Sequence, residues 1–200
     1  GVKRENIWLC DKHGLVYEGR SIDMNSEKSA FAHNTELRTL EEVIENADMF
    51  LGLSGPNVLK SSMIKKMRAK PIIFALANPS PEVMPDHARK AAPDAIIATG
   101  RSDFFNQVNN VLCFPFIFRG ALDVEATEIN DEMQLACIDA IAEIARTTTS
   151  AEAAAAYQGE SLTFGPEYLI PKPFDPRLSV VVPTAVAKAA MKTGVAKKPI

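Results

Sequence analysis

The stretch that decides the fold is residues 71–100, PIIFALANPSPEVMPDHARKAAPDAIIATG. It begins with an apolar run, PIIFALA, and ends with a second one, AIIATG. Between them lies PDHARKA, whose proline suits the first turn of a helix. The order predicts a strand, a helix and another strand.

The same alternation extends toward the amino terminus. IWLCD at residues 7–11 predicts a buried strand, and MFLGLSGP at residues 49–56 predicts a strand that runs into a glycine-containing loop. Thr39 and Glu42 have the spacing of a capping box, which predicts a helix from there, and residues 58–67 predict another short helix. Continuous apolar strands separated by helices are typical of a parallel sheet covered on both faces. We therefore predict an α/β, Rossmann-like, doubly wound parallel sheet.

The pattern changes after Phe118. Apolar residues recur at helical spacing over residues 133–144, and Asn130 is placed to cap that helix. Residues 147–177 predict loops because they are rich in turn-forming residues, and residues 183–192 predict a last helix closed by Gly194. At 200 residues and 46% hydrophobic content, the chain is expected to form one domain over residues 1–200. Residues 129–200 would be its helical, loop-rich carboxyl-terminal part.

Composition excludes several classes of partner. The net charge is -3 with no basic run beyond pairs, which argues against binding to nucleic acid. No apolar stretch is long enough to span a membrane. The three cysteines, Cys10, Cys113 and Cys137, are odd in number and lack metal-ligand spacing, so neither a disulfide framework nor a zinc site is expected. A small molecule or a protein in a reducing cytoplasm is the expected partner and setting.

Polar loops follow three of the predicted strands, at residues 52–56, 77–81 and 99–103. Ligands of parallel sheets bind beyond the carboxyl ends of the strands, so these loops mark a candidate site. Pro79 disfavours the helical conformation for Asn78 and keeps it extended, which fixes the direction of its amide. A neutral amide suits a carboxylate or carboxamide ligand, although Asn-Pro by itself also opens ordinary turns.

Asn109 and Asn110 form a second pair of amides before an apolar segment. Either residue can cap the helix that follows, and a single cap needs only one of them. Capping and ligand binding both remain open for this pair.

A dinucleotide site has weaker support. Ser54 and Gly55 lie in GLSGP, a loop whose backbone could approach a nucleotide closely. Asp11 ends the first predicted strand, where such folds place the acid that binds the adenosine ribose. The chain contains no Gly-x-Gly-x-x-Gly, so the phosphate-binding turn is expected about twenty residues before Asp11, upstream of Gly1. The start of the chain thus suggests a cut polypeptide.

Three long motifs resemble one family. IIFALANPSPE at residues 72–82, residues 96–130, which contain NQVNNVLCFPFIFRGALDV, and FGPEYLIPKPFDPRL at residues 164–178 are similar to the carboxyl-terminal, NAD(P)-binding domain of bacterial malic enzymes. The resemblance runs from about residue 7 to the end.

This resemblance implies metal-dependent oxidative decarboxylation of (S)-malate to pyruvate and CO2, with reduction of NADP or NAD. It implies that Asn78 and Asn110 bind substrate, and that Asn78 and Asn109 also contact the cofactor. The family's catalytic tyrosine and lysine, and the acids that bind Mg or Mn, precede the matched region. The chain is therefore expected to be part of a homo-oligomeric enzyme, inactive alone, with the missing amino-terminal domain as a partner.

Two residues depart from the family pattern. Phe105 replaces a proline, which would loosen the loop that carries Asn109 and Asn110. Glu125 replaces a glycine, which would strain the backbone if φ is positive there.

Cofactor choice and function class stay open. Asp11 favours NAD, Lys28 favours NADP through a 2′-phosphate, and the resemblance favours NADP. The alternatives to a malic enzyme are another NAD(P)-dependent hydroxy-acid dehydrogenase and a separate non-catalytic binding module.

Overall fold

The computed structural model describes residues 1–147 and 162–199, which form two compact units, Gly1–Ile96 and Ile97–Ile200. The strands are β1 (Cys10–Asp11), β2 (Gly14–Leu15), β3 (Met49–Gly52), β4 (Ile72–Ala75) and β5 (Ile96–Thr99). The helices are α1 (Ser26–Ser29), α2 (Leu40–Val43), α3 (Ser61–Ile64), α4 (Pro85–Ala91), α5 (Phe114–Asp123), α6 (Asp131–Arg146) and α7 (Leu178–Lys192), with short 3-10 helices at Arg4–Asn6 and Asn110–Leu112. The predicted single domain over residues 1–200 stays a prediction.

A parallel sheet confirms the α/β class. Its strands lie in the order β3, β4, β5, and β3 pairs with β4 in parallel from Met49 opposite Ile72 to Gly52 opposite Ala75. At the start of β5, the N–H of Ile96 donates to the carbonyl of Pro71 at 2.9 Å. The strand, helix and strand predicted from residues 71–100 are therefore present.

The first predicted strand is shorter than expected and lies outside this sheet. Only Cys10 and Asp11 of residues 7–11 form a strand, and they pair antiparallel with β2. Trp8 is 41% exposed and stacks on His33 with ring centroids 4.1 Å apart, so this segment is not a buried strand. The prediction failed because an apolar run has no periodicity that separates a buried strand from a half-exposed segment.

Burial alternates along β3. Phe50 and Gly52 are buried, whereas Met49 is 44% and Leu51 54% exposed. β3 is the edge strand of the described sheet, and among the described residues nothing covers its Met49 and Leu51 side chains fully.

Helix starts follow the predicted capping signals. Thr39 caps α2 in a capping box: its hydroxyl accepts from the N–H of Glu42, and its own N–H donates to the Glu42 carboxylate. Pro85 occupies the first turn of α4, and the Asn130 side chain accepts from the N–H of Met133 at the start of α6. These positions were predictable because each signal acts within one turn.

Three helices, α5, α6 and α7, form the core of the described part of the second unit. Both α5 and α6 pack on α7, and the buried side chains of all three form one apolar core. Helix α7 begins at Leu178, so the predicted start at residue 183 is wrong, and Pro183 lies inside the helix. Pro183 is buried, and its carbonyl lies so close to Gly120 of α5 that a side chain on Gly120 would strike it. Burial of this face compensates for the hydrogen bond that proline cannot donate.

Helix α5 ends in a Schellman motif. The N–H of Ala126 donates to the carbonyl of Ala121 at 2.9 Å, and the N–H of Glu125 donates to that of Leu122 at 3.0 Å. Glu125 has a φ of 49°. The residue that departs from the family's glycine thus occupies a left-handed position, and Gly194 does the same after α7 with a φ of 77°.

Two predictions concern residues that the structure does not fully describe. The loop-rich stretch at residues 147–177 extends over residues 148–161, which lie outside the described residues, and residues 162–177 contain no helix or strand. Among the described residues, no helix has the length and apolar character needed to span a membrane.

Candidate functional site

A buried carboxylate joins the loops that follow β3 and β4. Glu82 is fully buried, and its Oε1 accepts from the N–H of Ser54 at 2.8 Å and from the Ser54 hydroxyl at 3.3 Å. Its Oε2 accepts from the N–H of Ala77 at 3.1 Å. The two strand-end loops are therefore fixed to each other by one side chain.

Gly52 makes room for this carboxylate. A Cβ added to Gly52 would lie 2.7 Å from both Glu82 oxygens, closer than packed atoms approach. The strand must therefore end in glycine where Glu82 passes beneath it. Sequence reasoning missed Glu82, and the available signal was an acid between Pro81 and Val83, which are both buried.

Asn78 is the residue after Ala77, whose N–H donates to Glu82. Its side chain is exposed, and it forms no hydrogen bond with the described residues. The Asn78–Pro79 peptide bond is cis. Asn78 thus presents a free amide three residues beyond the end of β4, in the loop where the sequence predicts it. Its role as a ligand for substrate and cofactor stays a prediction.

Ser54 and Gly55 lie in the other loop that Glu82 fixes. Ser54 is exposed and Gly55 half-buried, and a Cβ added to Gly55 would meet no atom within 4 Å. The space above Gly55 is open, which fits a loop that a nucleotide approaches closely. Ser54, Gly55 and Asn78 are therefore brought together in the first unit.

Asp11 stands at the centre of a second polar cluster in this unit. Nη2 of Arg20 donates to both carboxylate oxygens at 2.8 and 2.6 Å, and Nζ of Lys28 donates to Oδ2 at 2.8 Å. Burial opposes ionisation of Asp11, but the hydrogen bonds from Arg20 and Lys28 outweigh it and hold the pKa of the carboxyl well below its usual range. Asp11 is thus charged at neutral pH and already paired.

The two cations of this cluster differ in exposure and in the number of protein groups that hold them. The Arg20 side chain is only 3% exposed, and its guanidinium also donates to the carbonyls of Leu15 and Ile22. Lys28 is more exposed, and its other contacts are the carbonyl and carboxylate of Asp23, which is itself half-exposed. Arg20 is therefore held by protein groups alone, whereas the Lys28 ammonium, held by Asp11 and Asp23, is partly open to solvent.

The asparagine pair lies in the second unit. The Asn109 side chain accepts from the N–H of Val111 at 3.0 Å and caps the short 3-10 helix that begins at Asn110. Asn110 is exposed, and its amide has no hydrogen bond among the described residues. Capping thus accounts for Asn109, and Asn110 is left available. The convergence of this pair with Asn78 stays a prediction.

An unpredicted residue anchors the loop before this pair. Asn106 is buried with a φ of 54°, and its amide donates to the carbonyls of Ile97 at 2.9 Å and Pro166 at 2.7 Å. Its side-chain oxygen accepts from the N–H of Leu169 at 2.8 Å. Phe105, which replaces the family's proline, is 48% exposed, so Asn106 supplies the attachment at this point.

A metal site is not found among the described residues. They contain no group of three or more histidine, cysteine or acidic side chains arranged to hold an ion. The Asp11 carboxylate is already paired with Arg20 and Lys28. The Glu82 carboxylate already accepts from backbone N–H groups.

Comparison with known proteins identifies the family. The family described as malic enzyme, NAD binding domain, matches residues 2–157. The chain belongs to this family. An NADP-dependent malic enzyme of Escherichia coli is 59% identical over 201 residues, which cover 100% of this chain and 26% of that protein. An NAD-dependent malic enzyme of Rhizobium meliloti is 56% identical over 200 residues, again 100% of this chain and 26% of that protein.

Solved structures of malic enzymes share the fold. The malic enzyme of Entamoeba histolytica superposes with a TM-score of 0.78 at 33% identity, over 96% of this chain and 38% of that one. The chain spans about a quarter of the length of the two curated relatives named above. It is an NAD(P)-binding domain of the malic enzyme family, and relatives of similar identity differ in the cofactor named for them.

Proposed function

We propose that this chain is the cofactor-binding part of a malic enzyme that converts (S)-malate to pyruvate and CO2 with reduction of NADP or NAD. The observation that carries the proposal is the pair of strand-end loops tied by Glu82, which present Ser54, Gly55 and Asn78 at one place in a chain of this family. The bound nicotinamide would accept the hydride from malate. The chain's own residues would bind and orient the reactants.

Each residue has a distinct proposed task. Ser54 and Gly55 would line the path of the dinucleotide, and the amide of Asn78 would bind both the substrate and the nicotinamide end of the cofactor. Asn110 would bind a carboxylate of malate, and Asn109 would contact the cofactor through the amide N–H2 that capping leaves free. Neutral amides suit this work because they bind a carboxylate without titrating near neutral pH.

We assign adenosine recognition to the Asp11 cluster. With NAD, Asp11 would accept from a ribose hydroxyl while Lys28 remains paired with it. With NADP, Lys28 would turn to the 2′-phosphate, and Arg20 would keep Asp11 neutralised so that the carboxylate does not repel the phosphate. The fixed pairing of Arg20 with Asp11 supports NADP as the preferred cofactor.

The remaining parts of the enzyme are assigned outside this chain. The described residues do not offer a donor set for Mg or Mn, so we place the divalent ion on residues of the missing amino-terminal domain. The catalytic acid and base would come from the same domain, and the chain alone would be inactive. A homo-oligomer in the cytoplasm completes the proposal, and the three free cysteines fit a reducing compartment.

The test uses the full-length gene product with malate and each cofactor. Reduced cofactor and CO2 are measured together, with and without a chelator of divalent ions. We expect equal amounts of both products, and loss of both with the chelator. Asn78→Ala and Asn110→Ala should each lower kcat/KM for malate by about tenfold or more, because each removes a hydrogen bond to a charged group. Asn34→Ala, at an exposed asparagine of the first unit outside these loops, serves as the matched control.

Two results would count against the proposal. Oxidation of a hydroxy acid without release of CO2 would indicate another dehydrogenase. Binding of a nucleotide without turnover of any hydroxy acid would indicate a non-catalytic module.

A further inference from the structure

Two cysteine side chains meet between helices of the second unit. Sγ of Cys113 and Sγ of Cys137 are 3.4 Å apart and share a hydrogen bond. Cys113 lies between the 3-10 helix Asn110–Leu112 and α5, whereas Cys137 lies on α6. The two thiols are 24 residues apart in sequence, so tertiary packing alone brings them together.

The two thiols differ in access. Cys137 is only 1% exposed and belongs to the apolar core formed by α5, α6 and α7. Cys113 is half-buried and lines an open apolar groove of about 300 Å³ between Phe114, Phe118 and Ile138. A small oxidant in this groove therefore reaches Cys113 first.

The two thiols also differ in chemistry. Burial, together with the hydrogen bond to Cys113, raises the pKa of the Cys137 thiol to about 12. Cys113, in contrast, is half-buried and faces the groove through which a small oxidant arrives. Cys113 is therefore the nucleophile of the pair, and Cys137 is held next to it to complete the reaction.

We propose that Cys113 and Cys137 form a redox modification site that closes to a disulfide when the protein meets a hydroperoxide. The Cys113 thiolate attacks the terminal oxygen of the hydroperoxide, the O–O bond breaks, and the remaining alkoxide or hydroxide leaves with a proton. Cys113 is then a sulfenic acid. The sulfur of Cys137 attacks the sulfur of Cys113, the S–O bond breaks, and the hydroxide leaves as water with the proton of Cys137. The two thiols lose two electrons and the hydroperoxide gains them.

Closure would act on the neighbouring asparagine pair. The sulfurs must move from 3.4 Å to the bonding distance of about 2 Å, and the N–H of Cys113 is bonded to the carbonyl of Asn110 at 3.0 Å. Movement of Cys113 is thus passed to Asn110. This step rests on the proposed function, in which Asn110 binds malate. A misplacement of about 1 Å at a binding residue lowers activity by up to about 100-fold.

Peptide mapping of the full-length gene product tests the site. The protein is exposed to hydrogen peroxide, its remaining thiols are alkylated, and its peptides are analysed by mass spectrometry. We expect one linked species that joins the Cys113 and Cys137 peptides, reversed by dithiothreitol. Cys113→Ser and Cys137→Ala should each abolish it. Cys10→Ser should retain it, because Cys10 is a poorly reactive thiol whose pKa is raised to about 11, chiefly by burial.

Different outcomes separate the two parts of the inference. Unmodified thiols, or Cys113 oxidised to a sulfinic acid without a link, would overturn the modification site. A complete link with unchanged malate turnover would overturn the coupling to Asn110. Loss of activity upon oxidation in the wild type, with resistance in Cys137→Ala, would support it. The mapping result is independent of whether the protein turns over malate.

Discussion

Glu82 offers the sharpest test of how the site is held together. Replacing Glu82 with alanine removes the acceptor for the N–H groups of Ser54 and Ala77. Ser54 is exposed, so water can replace its bond, whereas Ala77 is buried and its N–H is left unpaired. An unpaired buried N–H costs about 1–3 kcal/mol, and loss of the Ser54 bond adds about 1 kcal/mol. We expect Glu82→Ala to lower the free energy of unfolding by about 2–4 kcal/mol.

Glu82→Gln should cost less than the alanine variant. The glutamine side chain has the same shape, and its amide oxygen can still accept from one of the two N–H groups. Its amide nitrogen is a donor and cannot accept from the N–H of Ser54 or of Ala77. One of the two bonds is lost, which lowers the free energy of unfolding by about 1–2 kcal/mol.

Gly52→Ala supplies the matching half of a double-mutant cycle. In the wild type, the new methyl group would collide with the Glu82 carboxylate, which costs about 1–3 kcal/mol as overpacking. In Glu82→Ala the obstructing atoms are gone, so Gly52→Ala should have little effect. The cycle should therefore give a coupling energy of about 1–3 kcal/mol between these two residues.

Denaturant unfolding of the full-length gene product measures the cycle, and hydrogen exchange of peptides from residues 50–56 and 73–78 locates the effect. Glu82→Ala should speed exchange in both peptides, because the two loops are no longer tied. Additive costs for the two substitutions, or unchanged exchange in either loop, would show that Glu82 does not fix them. Met84→Ala, an exposed site just before α4, serves as a control.

Two further substitutions test single positions. Glu125→Gly should raise the free energy of unfolding by about 0.5–1 kcal/mol, because it removes a Cβ from a left-handed position, with part of the gain offset by the greater freedom of glycine in the unfolded chain. Glu125→Ala keeps the Cβ, so thermal denaturation should show no increase in stability for this variant. If both variants gained equally, loss of the glutamate charge would be the cause. Lys28→Gln should lower kcat/KM for NADP by about tenfold or more and leave that for NAD nearly unchanged, since it removes a charge-assisted bond to the phosphate. Lys65→Gln is the control, and an equal loss with both cofactors would contradict the role of Lys28.

Local signals in the sequence located many elements and failed where the signal was ambiguous. Thr39, Pro85 and Asn130 mark helix starts because a cap acts within one turn. Pro183 carries the same kind of signal, yet it lies inside α7, since burial against α5 outweighs the bond that proline lacks. IWLCD misled for a related reason, because an apolar run does not reveal which of its side chains find a partner.

The sequence by itself determined the alternation of strands and helices, the delivery of Asn78 at the end of β4, and membership of the malic enzyme family. It did so because helix caps, apolar runs and long motifs depend on neighbouring residues. Only the tertiary structure decided that Glu82 ties two loops, that Arg20 and Lys28 share Asp11, and that Cys113 meets Cys137. These contacts join residues 9 to 28 positions apart. Which of many polar or sulfur atoms becomes a partner is set by how buried elements pack.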